Sequence, residues 1–162
     1  MCCLLAYQAL LGPFGEVQQL PNFLLQLLLN LLGMPVRERA VGQMLLAVGQ
    51  NDDALAEIEK ESDAFFRAYA LARTYIVLGR RADADAALAV VEKKFSAEQP
   101  YNIAGLHALR GDRDQAFSWM ERAYQQHDSI IIGMPPITVD PDMKNLHGDP
   151  RWEAFLRKMK LP

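Results

Sequence analysis

Apolar side chains recur at helical spacing on both sides of a glycine near the middle of the chain. They are Leu71, Ala72, Tyr75 and Leu78 before Gly79, and Ala84, Leu88, Val91 and Phe95 after it. Residues three or four apart lie on one face of a helix, so each set predicts an amphipathic helix. Because only a few residues separate the two sets, the pattern predicts a helical hairpin.

The connection in this hairpin belongs to a pattern that occurs three times: glycine, four mostly polar residues, then alanine. The copies are residues 49–54 (GQNDDA), 79–84 (GRRADA) and 111–116 (GDRDQA), with glycines 30 and 32 residues apart. We expect each glycine to end a helix in the left-handed conformation and the polar residues to cap the next helix. In the third copy, Asp112 and Gln115 have the spacing of a capping box. The sequence thus predicts three hairpins within residues 37–128.

The three copies resemble the tetratricopeptide repeat family. The second copy carries Leu71, Ala72, Tyr75, Gly79, Ala84 and Leu88; the third carries Ala104, His107, Gly111, Ala116, Met120 and Ala123; the first carries Gly42, Leu45, Gly49, Ala54 and Ile58. The repeats are degenerate, and their spacing is shorter than the usual 34 residues of that family. The resemblance implies an all-α fold, a right-handed solenoid of helical hairpins.

Residues 101–162 resemble the C-terminal repeat region of bacterial multidomain signalling proteins, through GDRDQAFSWMERAYQQHDS and then VDPDMKNLHGDPRWEAFLRKMKLP; within them, residues 129–162 are the predicted capping segment. Asp140-Pro141 and Asp149-Pro150 each combine a helix-capping residue with proline at the first helical position, so two short helices are predicted. The apolar residues of the second are Trp152, Phe155, Leu156 and Met159. We expect this C-terminal capping segment to close the open end of the solenoid.

Residues 1–36 form an apolar leader whose single charged side chain is Glu16. Its most apolar stretch, residues 23–32 (FLLQLLLNLL), would reach about 15 Å as a helix, half of the roughly 30 Å needed to span a bilayer. No Lys or Arg precedes it, so a secretory signal is not indicated. We expect a helix covered by the solenoid, by a second copy or by a preceding domain. Phe23, Leu28 and Leu32 are the self-association candidates.

Composition and candidate chemistry give no indication of catalysis. The net charge of −3 and pI near 5.6 offer no basic face for nucleic acid. His107, His127 and His147 lack metal-ligand spacing, and His107 occupies a position where the family often has tyrosine, which favours a packing role. Cys2 and Cys3 are adjacent and cannot form a loop-closing disulfide. We expect no enzyme activity, no metal, no cofactor and a cytoplasmic location.

The resemblance also implies a concave groove lined by the first helix of each hairpin, where a protein or peptide partner would bind. The groove positions are Arg39, Gln43, Tyr69, Arg73 and Tyr101. The sequence therefore favours a non-catalytic protein–protein interaction scaffold. Two alternatives stay open: a truncated or detached C-terminal regulatory module of a larger bacterial signalling protein, of cyclase-type or winged-helix kind, and a self-assembling structural subunit.

Overall fold

The computed structural model describes residues 37–128 and 137–161. Over these residues the chain is all-helical, and no strand occurs in the described ranges. The chain divides into two compact units, Met1–Glu61 and Ser62–Pro162. This division differs in position from the boundaries at 36/37 and 128/129 that the sequence suggested. The leader, with Cys2, Cys3, Phe23, Leu28 and Leu32, lies outside the described residues.

The described part of the first unit is one hairpin. Helix α1 spans Arg37–Ala47, and helix α2 spans Asn51–Ile58. The two helices pack against each other through Val41, Leu45 and Ala54, which are all buried. Gly42 lies at their close approach, because a Cβ there would stand 2.5 Å from Cγ1 of Ile58. A side chain at this position would require Ile58, or the helices themselves, to shift.

The second unit contains two further hairpins and a C-terminal segment. The helices are α3 (Ala64–Val77), α4 (Arg81–Phe95), α5 (Pro100–Arg110) and α6 (Arg113–Gln125), followed by the 3₁₀ helices η1 (Ile137–Val139) and η2 (Pro141–Leu146) and by α7 (Pro150–Lys158). Helix α3 packs against α4, and α5 packs against α6. Helix α5 also contacts α3, α4 and η2, and so occupies the centre of this unit.

The glycine turn has the same geometry in all three hairpins, which confirms the predicted left-handed glycines. The predicted side-chain caps after these turns are wrong, because Gln50, Arg80 and Asp112 make no capping hydrogen bond. Gly49, Gly79 and Gly111 have φ of +78°, +68° and +92°. In each case the residue after the glycine donates its N–H to the carbonyl five residues earlier, at 2.8, 3.0 and 2.9 Å. This is the hydrogen-bond pattern of the Schellman motif. The alanines of the pattern, Ala54, Ala84 and Ala116, are buried between the helices.

Helix starts agree only in part with the sequence. The carboxylates of Asp63, Asp140 and Asp149 cap α3, η2 and α7 by accepting backbone N–H groups at 2.9 to 3.0 Å. The capping box expected at Asp112 is wrong, because the Asp112 side chain makes no capping hydrogen bond and instead accepts from Nε of Arg110. The first C-terminal helix is a 3₁₀ helix, and the second is an α-helix.

The C-terminal segment shares its core with the α5–α6 hairpin. Its contribution consists of Ile137, Met143, Leu146, Trp152, Phe155 and Leu156, which pack with Tyr101, Ala104, Ala108, Ala116, Met120 and Ala123. A second core lies between α3, α4 and α5 and consists of Phe65, Ala72, Leu88, Val91, Ile103 and Leu106. Among the helices described, none is long and apolar enough to cross a bilayer.

Candidate functional site

Helix α3 presents Tyr69 and Arg73 on one face, one turn apart. The helix starts at a firm cap, since Oδ1 of Asp63 accepts the N–H of Phe66 at 2.9 Å. Phe65 and Ala72, on an adjacent face, are buried in the core shared with α4 and α5. This packing fixes the rotation of α3 about its axis. Tyr69 and Arg73 consequently point towards η2.

Arg73 holds the carboxylate of Asp142 in a forked ion pair. Its Nε lies 3.1 and 3.0 Å from the two carboxylate oxygens, and its Nη2 lies 2.9 Å from Oδ1. The hydroxyl of Tyr69 donates to Oδ2 of the same carboxylate at 3.1 Å. The Asp142 side chain is 9% exposed and that of Arg73 is 25% exposed. Water therefore screens this pair much less than it would a surface pair.

Tyr101, at the start of α5, binds Asp140, which lies two residues before Asp142. Its hydroxyl donates to Oδ2 of Asp140 at 2.9 Å, while Oδ1 of Asp140 accepts the N–H of Asp142 at 2.9 Å. Each carboxylate oxygen of Asp140 thus has a separate donor. Pro141 occupies the first position of η2, where a missing N–H costs nothing. We call residues 140–142 the Asp-Pro-Asp turn.

Gly105 provides the flat part of α5 against which this turn packs. A Cβ at position 105 would lie 3.7 Å from Cβ of Asp142 and 3.8 Å from Cε of Met143. The turn and the start of η2 therefore approach the backbone of α5 closely. At the far end of η2, Nδ2 of Asn145 donates to the carbonyl of Ala108 at 2.9 Å.

Burial and neighbouring charges shift the pKa values of the site residues. Burial, and then the negative charge of Asp142, raise the pKa of Tyr69 well above 10. Burial, and then Asp140, do the same to the pKa of Tyr101. Both phenols therefore remain hydrogen-bond donors to high pH. Burial also raises the pKa of Asp140, although the donors Asp142 N–H and Tyr101 hydroxyl oppose this change.

The pKa of Arg73 results from opposing effects. Burial, the largest single contribution, lowers the pKa of this guanidinium. The hydrogen bonds to Asp142 and the charge of its carboxylate together outweigh burial, so the net shift is upward. Arg73 is therefore a permanent cation at this site. Such a cation suits a carboxylate-bearing ligand.

The structure brings together three of the five predicted groove residues. Tyr69, Arg73 and Tyr101 converge on the Asp-Pro-Asp turn of the same chain. Gln43 is exposed on α1 in the first unit. Arg39 is also on α1, but its side chain lies outside the described part of the chain. Binding of a partner at these positions stays a prediction.

Sequence reasoning missed Asp140 and Asp142 as the groups that bind these residues. The Asp140-Pro141 sequence predicts a helix cap, and Asp140 does cap η2 through Oδ1, but its second oxygen accepts from Tyr101. The available signal was charge complementarity between an acidic turn and a row of tyrosine and arginine. Since Arg73 and Asp142 are 69 residues apart, no local spacing could show their contact.

A second polar cluster lies on the opposite end of α5. His107 is buried, and its Nε2 lies 2.8 Å from Oε1 of Glu92 on α4. Its Nδ1 has no hydrogen-bond partner and lies 3.6 Å from Oδ2 of Asp112. His107 therefore packs between helices, in agreement with the sequence. No group of side chains within residues 37–128 and 137–161 has the arrangement of a metal site.

A cleft near this cluster offers less specific chemistry. Its charged lining consists of Arg81, Arg110, Asp85 and Asp112, so positive and negative charges are balanced. Arg110 is already paired with both of these aspartates. The cleft therefore has no excess of positive or negative charge with which to select an anionic or a cationic ligand. The face of α3 and α5 is the better candidate site.

Comparison with models of protein families, with curated proteins and with solved structures finds no significant match. The resemblance to tetratricopeptide repeats therefore depends on the repeated residues alone. No activity can be transferred to this chain from another protein.

Proposed function

We propose that this chain is a non-catalytic protein-binding scaffold of the tetratricopeptide type. In this proposal the three hairpins are successive turns of a right-handed solenoid, and the C-terminal segment is its cap. The first helices of the hairpins supply the binding face. Polypeptide, rather than a small molecule, is the ligand.

One observation carries the proposal: the face of α3 and α5 already holds a stretch of polypeptide. Tyr69, Arg73 and Tyr101 bind the Asp-Pro-Asp turn through side-chain hydrogen bonds of 2.9 to 3.1 Å. Tyrosine and arginine are the residues that dominate protein interfaces, because they combine a large contact area with directional donors. The same face is therefore chemically suited to polypeptide.

The repeated turn geometry supports the solenoid part of the proposal. All three hairpins use a left-handed glycine, the same hydrogen-bond pattern and a buried alanine. Equal hairpins that stack in a regular way align their first helices side by side. By register within its own hairpin, the exposed Gln43 on α1 is the corresponding first-helix position of the first hairpin.

Site-specific photo-crosslinking tests this function. We would place a photoreactive amino acid at Gln43, on the proposed binding face, or at Ala56, an exposed residue on the other helix of the same hairpin. We expect the full chain, expressed in its own cells, to form covalent adducts with a defined set of proteins from position 43. The Ala56 variant should form few.

Both variants must first show the thermal unfolding midpoint of the unmodified chain. Equal adduct patterns at the two positions, or none at either, would contradict the proposed function. Mass spectrometry of the adducts identifies the bound proteins and the segment that touches position 43.

A further inference from the structure

We infer that the cluster of Tyr69, Arg73, Tyr101, Asp140 and Asp142 is a proton-responsive contact: uptake of a proton at Asp140 strengthens the attachment of the C-terminal segment to α3 and α5, and its release weakens it. We call these five residues the tyrosine–aspartate cluster. All of them lie within one compact unit, Ser62–Pro162, so the contact acts on the stability of that unit. The inference goes beyond the scaffold function and does not depend on a binding partner.

The tyrosine–aspartate cluster holds more negative than positive charge. Within the described ranges, hydrogen bonds and ion pairs bring one guanidinium, that of Arg73, to the two carboxylates. Asp142 takes this guanidinium at 2.9 to 3.1 Å. Asp140 lies two residues away, and the charge of Asp142 acts against its ionisation. Repulsion between like charges is strong where water is largely excluded.

The hydrogen bonds that Asp140 accepts come from neutral groups. The hydroxyl of Tyr101 donates to Oδ2 at 2.9 Å, and the N–H of Asp142 donates to Oδ1 at 2.9 Å. Neutral donors stabilise a carboxylate less than a cation does. After α6, the carboxyl group of Asp128 accepts the N–H of Tyr101 at 3.3 Å, so the acidic side chain on that side adds no cation. Ionised Asp140 therefore carries a negative charge that its own donors do not neutralise.

The chain contains the same local sequence in a different electrostatic setting. Asp149 precedes Pro150 and caps α7 just as Asp140 precedes Pro141 and caps η2. The carboxylate of Asp149, however, accepts from the guanidinium of Arg151 at 2.8 and 2.9 Å. The hydrogen bonds from Arg151 lower the pKa of Asp149 to about 2, whereas burial raises the pKa of Asp140. The response of Asp140 therefore arises from its surroundings and not from the Asp-Pro sequence.

A proton on Oδ2 of Asp140 removes the repulsion without breaking the turn. Oδ1 still accepts the N–H of Asp142, and the hydroxyl of Tyr101 can accept a hydrogen bond as well as donate one. The ion pair of Arg73 with Asp142 keeps both of its charges. The C-terminal segment thus retains its attachment to α3 and α5 and loses one uncompensated negative charge.

The raised pKa of Asp140 gives the direction of the pH dependence. The unfolded chain binds this proton near pH 4, the ordinary value for aspartate, and the folded chain binds it at higher pH. The resulting stabilisation is fully present below about pH 4 and is lost as pH rises through the pKa of folded Asp140. At alkaline pH, ionisation of Tyr69 and Tyr101 adds further negative charge to the same cluster, so it acts in the same direction.

Urea unfolding of the full chain from about pH 4 to 8 tests the inference with Asp140→Asn. The amide is uncharged, like the protonated carboxyl group, and asparagine caps helices as well as aspartate does. Because the other titrating groups are common to both chains, the ratio of their unfolding equilibrium constants reports the proton at Asp140. We expect Asp140→Asn to be at least as stable as the unaltered chain at about pH 7. The unaltered chain should gain on the variant by at least about threefold as pH falls towards 4.

Two matched substitutions should behave differently. Asp142→Asn should be less stable than the unaltered chain at about pH 7, because Arg73 loses its anion. Asp149→Asn should also be less stable, by a factor that is constant from about pH 5 to 8, because a lowered pKa gives stability that is complete above the unfolded value. A constant factor for Asp140→Asn as well, with the variant less stable throughout, would show that Asp140 is only a cap and would overturn the inference.

If Asp140→Asn does not fold, the unaltered chain provides the test. Its aspartates are labelled with carbon-13 at the carboxyl group, and the resonance of Asp140 is followed by NMR as pH is lowered. Titration of this resonance above about pH 4 supports the inference, and titration at or below that value overturns it.

Discussion

Arg73 and Asp142 are the residues on which the candidate site depends. Their charges are largely removed from water, which costs free energy. The forked ion pair offsets this cost, because the N–O distances between the guanidinium and the carboxylate are those of well-formed hydrogen bonds. The balance holds only while both partners are present. Removal of one partner leaves the other as a poorly solvated charge.

We predict that Asp142→Asn lowers the free energy of unfolding by about 2 to 4 kcal/mol, somewhat below the 3 to 5 kcal/mol of fully buried pairs because Arg73 keeps some exposure. Arg73→Gln should cost a similar amount, and the double variant less than the sum, with a coupling of about 1 to 3 kcal/mol. Urea unfolding of the four chains gives this cycle.

The control is Arg80→Gln, which breaks an exposed pair with Asp83 and should lower the free energy of unfolding by less than about 1 kcal/mol. Additive losses in the cycle would show that the two side chains act independently.

The raised pKa values of Tyr69 and Tyr101 predict a loss of stability at alkaline pH. Their phenols ionise near pH 10 in the unfolded chain and at higher pH in the folded one. The stabilisation is therefore complete below about pH 10 and is lost as pH rises above it, by up to about 1.4 kcal/mol per pH unit for each tyrosine. Urea unfolding from about pH 9 to 11.5 should show a shallower decline for Tyr69→Phe. It should be shallower still for Tyr69→Phe/Tyr101→Phe, and equal slopes in all three chains would refute the assignment.

At the scale of elements, five of the helix ends in the described residues share one hydrogen-bond pattern, but only three of these could be predicted from glycine. The other two place His127 at φ +54° and Lys160 at φ +58° in the glycine position. Their turns are held by tertiary contacts of the next residue: Asp128 accepts the N–H of Tyr101 at 3.3 Å, and Leu161 packs on the core of the C-terminal segment. Local sequence predicts a helix end where glycine permits it, and not where distant contacts impose it.

These turns give opposite predictions for glycine gained and glycine lost. His127→Gly should raise the free energy of unfolding by about 0.5 to 1 kcal/mol, because glycine adopts positive φ without steric cost. Gly79→Ala should lower it by about 1 kcal/mol purely through the backbone, since no atom lies within 4 Å of the added Cβ. Gly148→Ala is the control, because its surroundings are equally open and its φ is not positive. Equal changes in the thermal unfolding midpoint for Gly79→Ala and Gly148→Ala would contradict this account.

The alanine of the repeated pattern is expected to set the distance between the two helices of a hairpin. Ala84 is 3% exposed, between α3 and α4. We predict that Ala84→Phe lowers the free energy of unfolding by at least about 1 to 3 kcal/mol through overpacking. Ala86→Phe, on the exposed side of α4, should change it by less than about 0.5 kcal/mol. An unchanged denaturation midpoint for Ala84→Phe would show that the helices are not in close contact there.

At the scale of the whole molecule, the sequence predicts contacts between residues that are close along the chain, and not contacts between residues that are far apart along it. Hairpins depend on residues three to five apart, so their helices, glycine turns and buried alanines were predictable. The spacing of Trp152, Phe155 and Leu156 predicts one apolar helix face, and these residues are buried with α5 and α6. Closure of a solenoid by this segment stays a prediction. The contacts of this segment with Tyr69, Arg73 and Tyr101 are not predictable in this way, since they depend on the arrangement of α3, α5 and η2.

This arrangement makes the C-terminal segment part of the second unit rather than an appendage. Met143 is fully buried in a core that it shares with α5 and α6. We predict that Met143→Ala lowers the free energy of unfolding by about 2 to 5 kcal/mol, while Lys144→Ala, at an exposed neighbouring position, changes it by less than about 0.5 kcal/mol. Because Ser62–Pro162 is one compact unit, amide hydrogen exchange in α4 and in α7 should accelerate together in this variant. Faster exchange confined to η2 and α7 would instead mean that the C-terminal segment opens by itself and that α3 to α6 are stable without it.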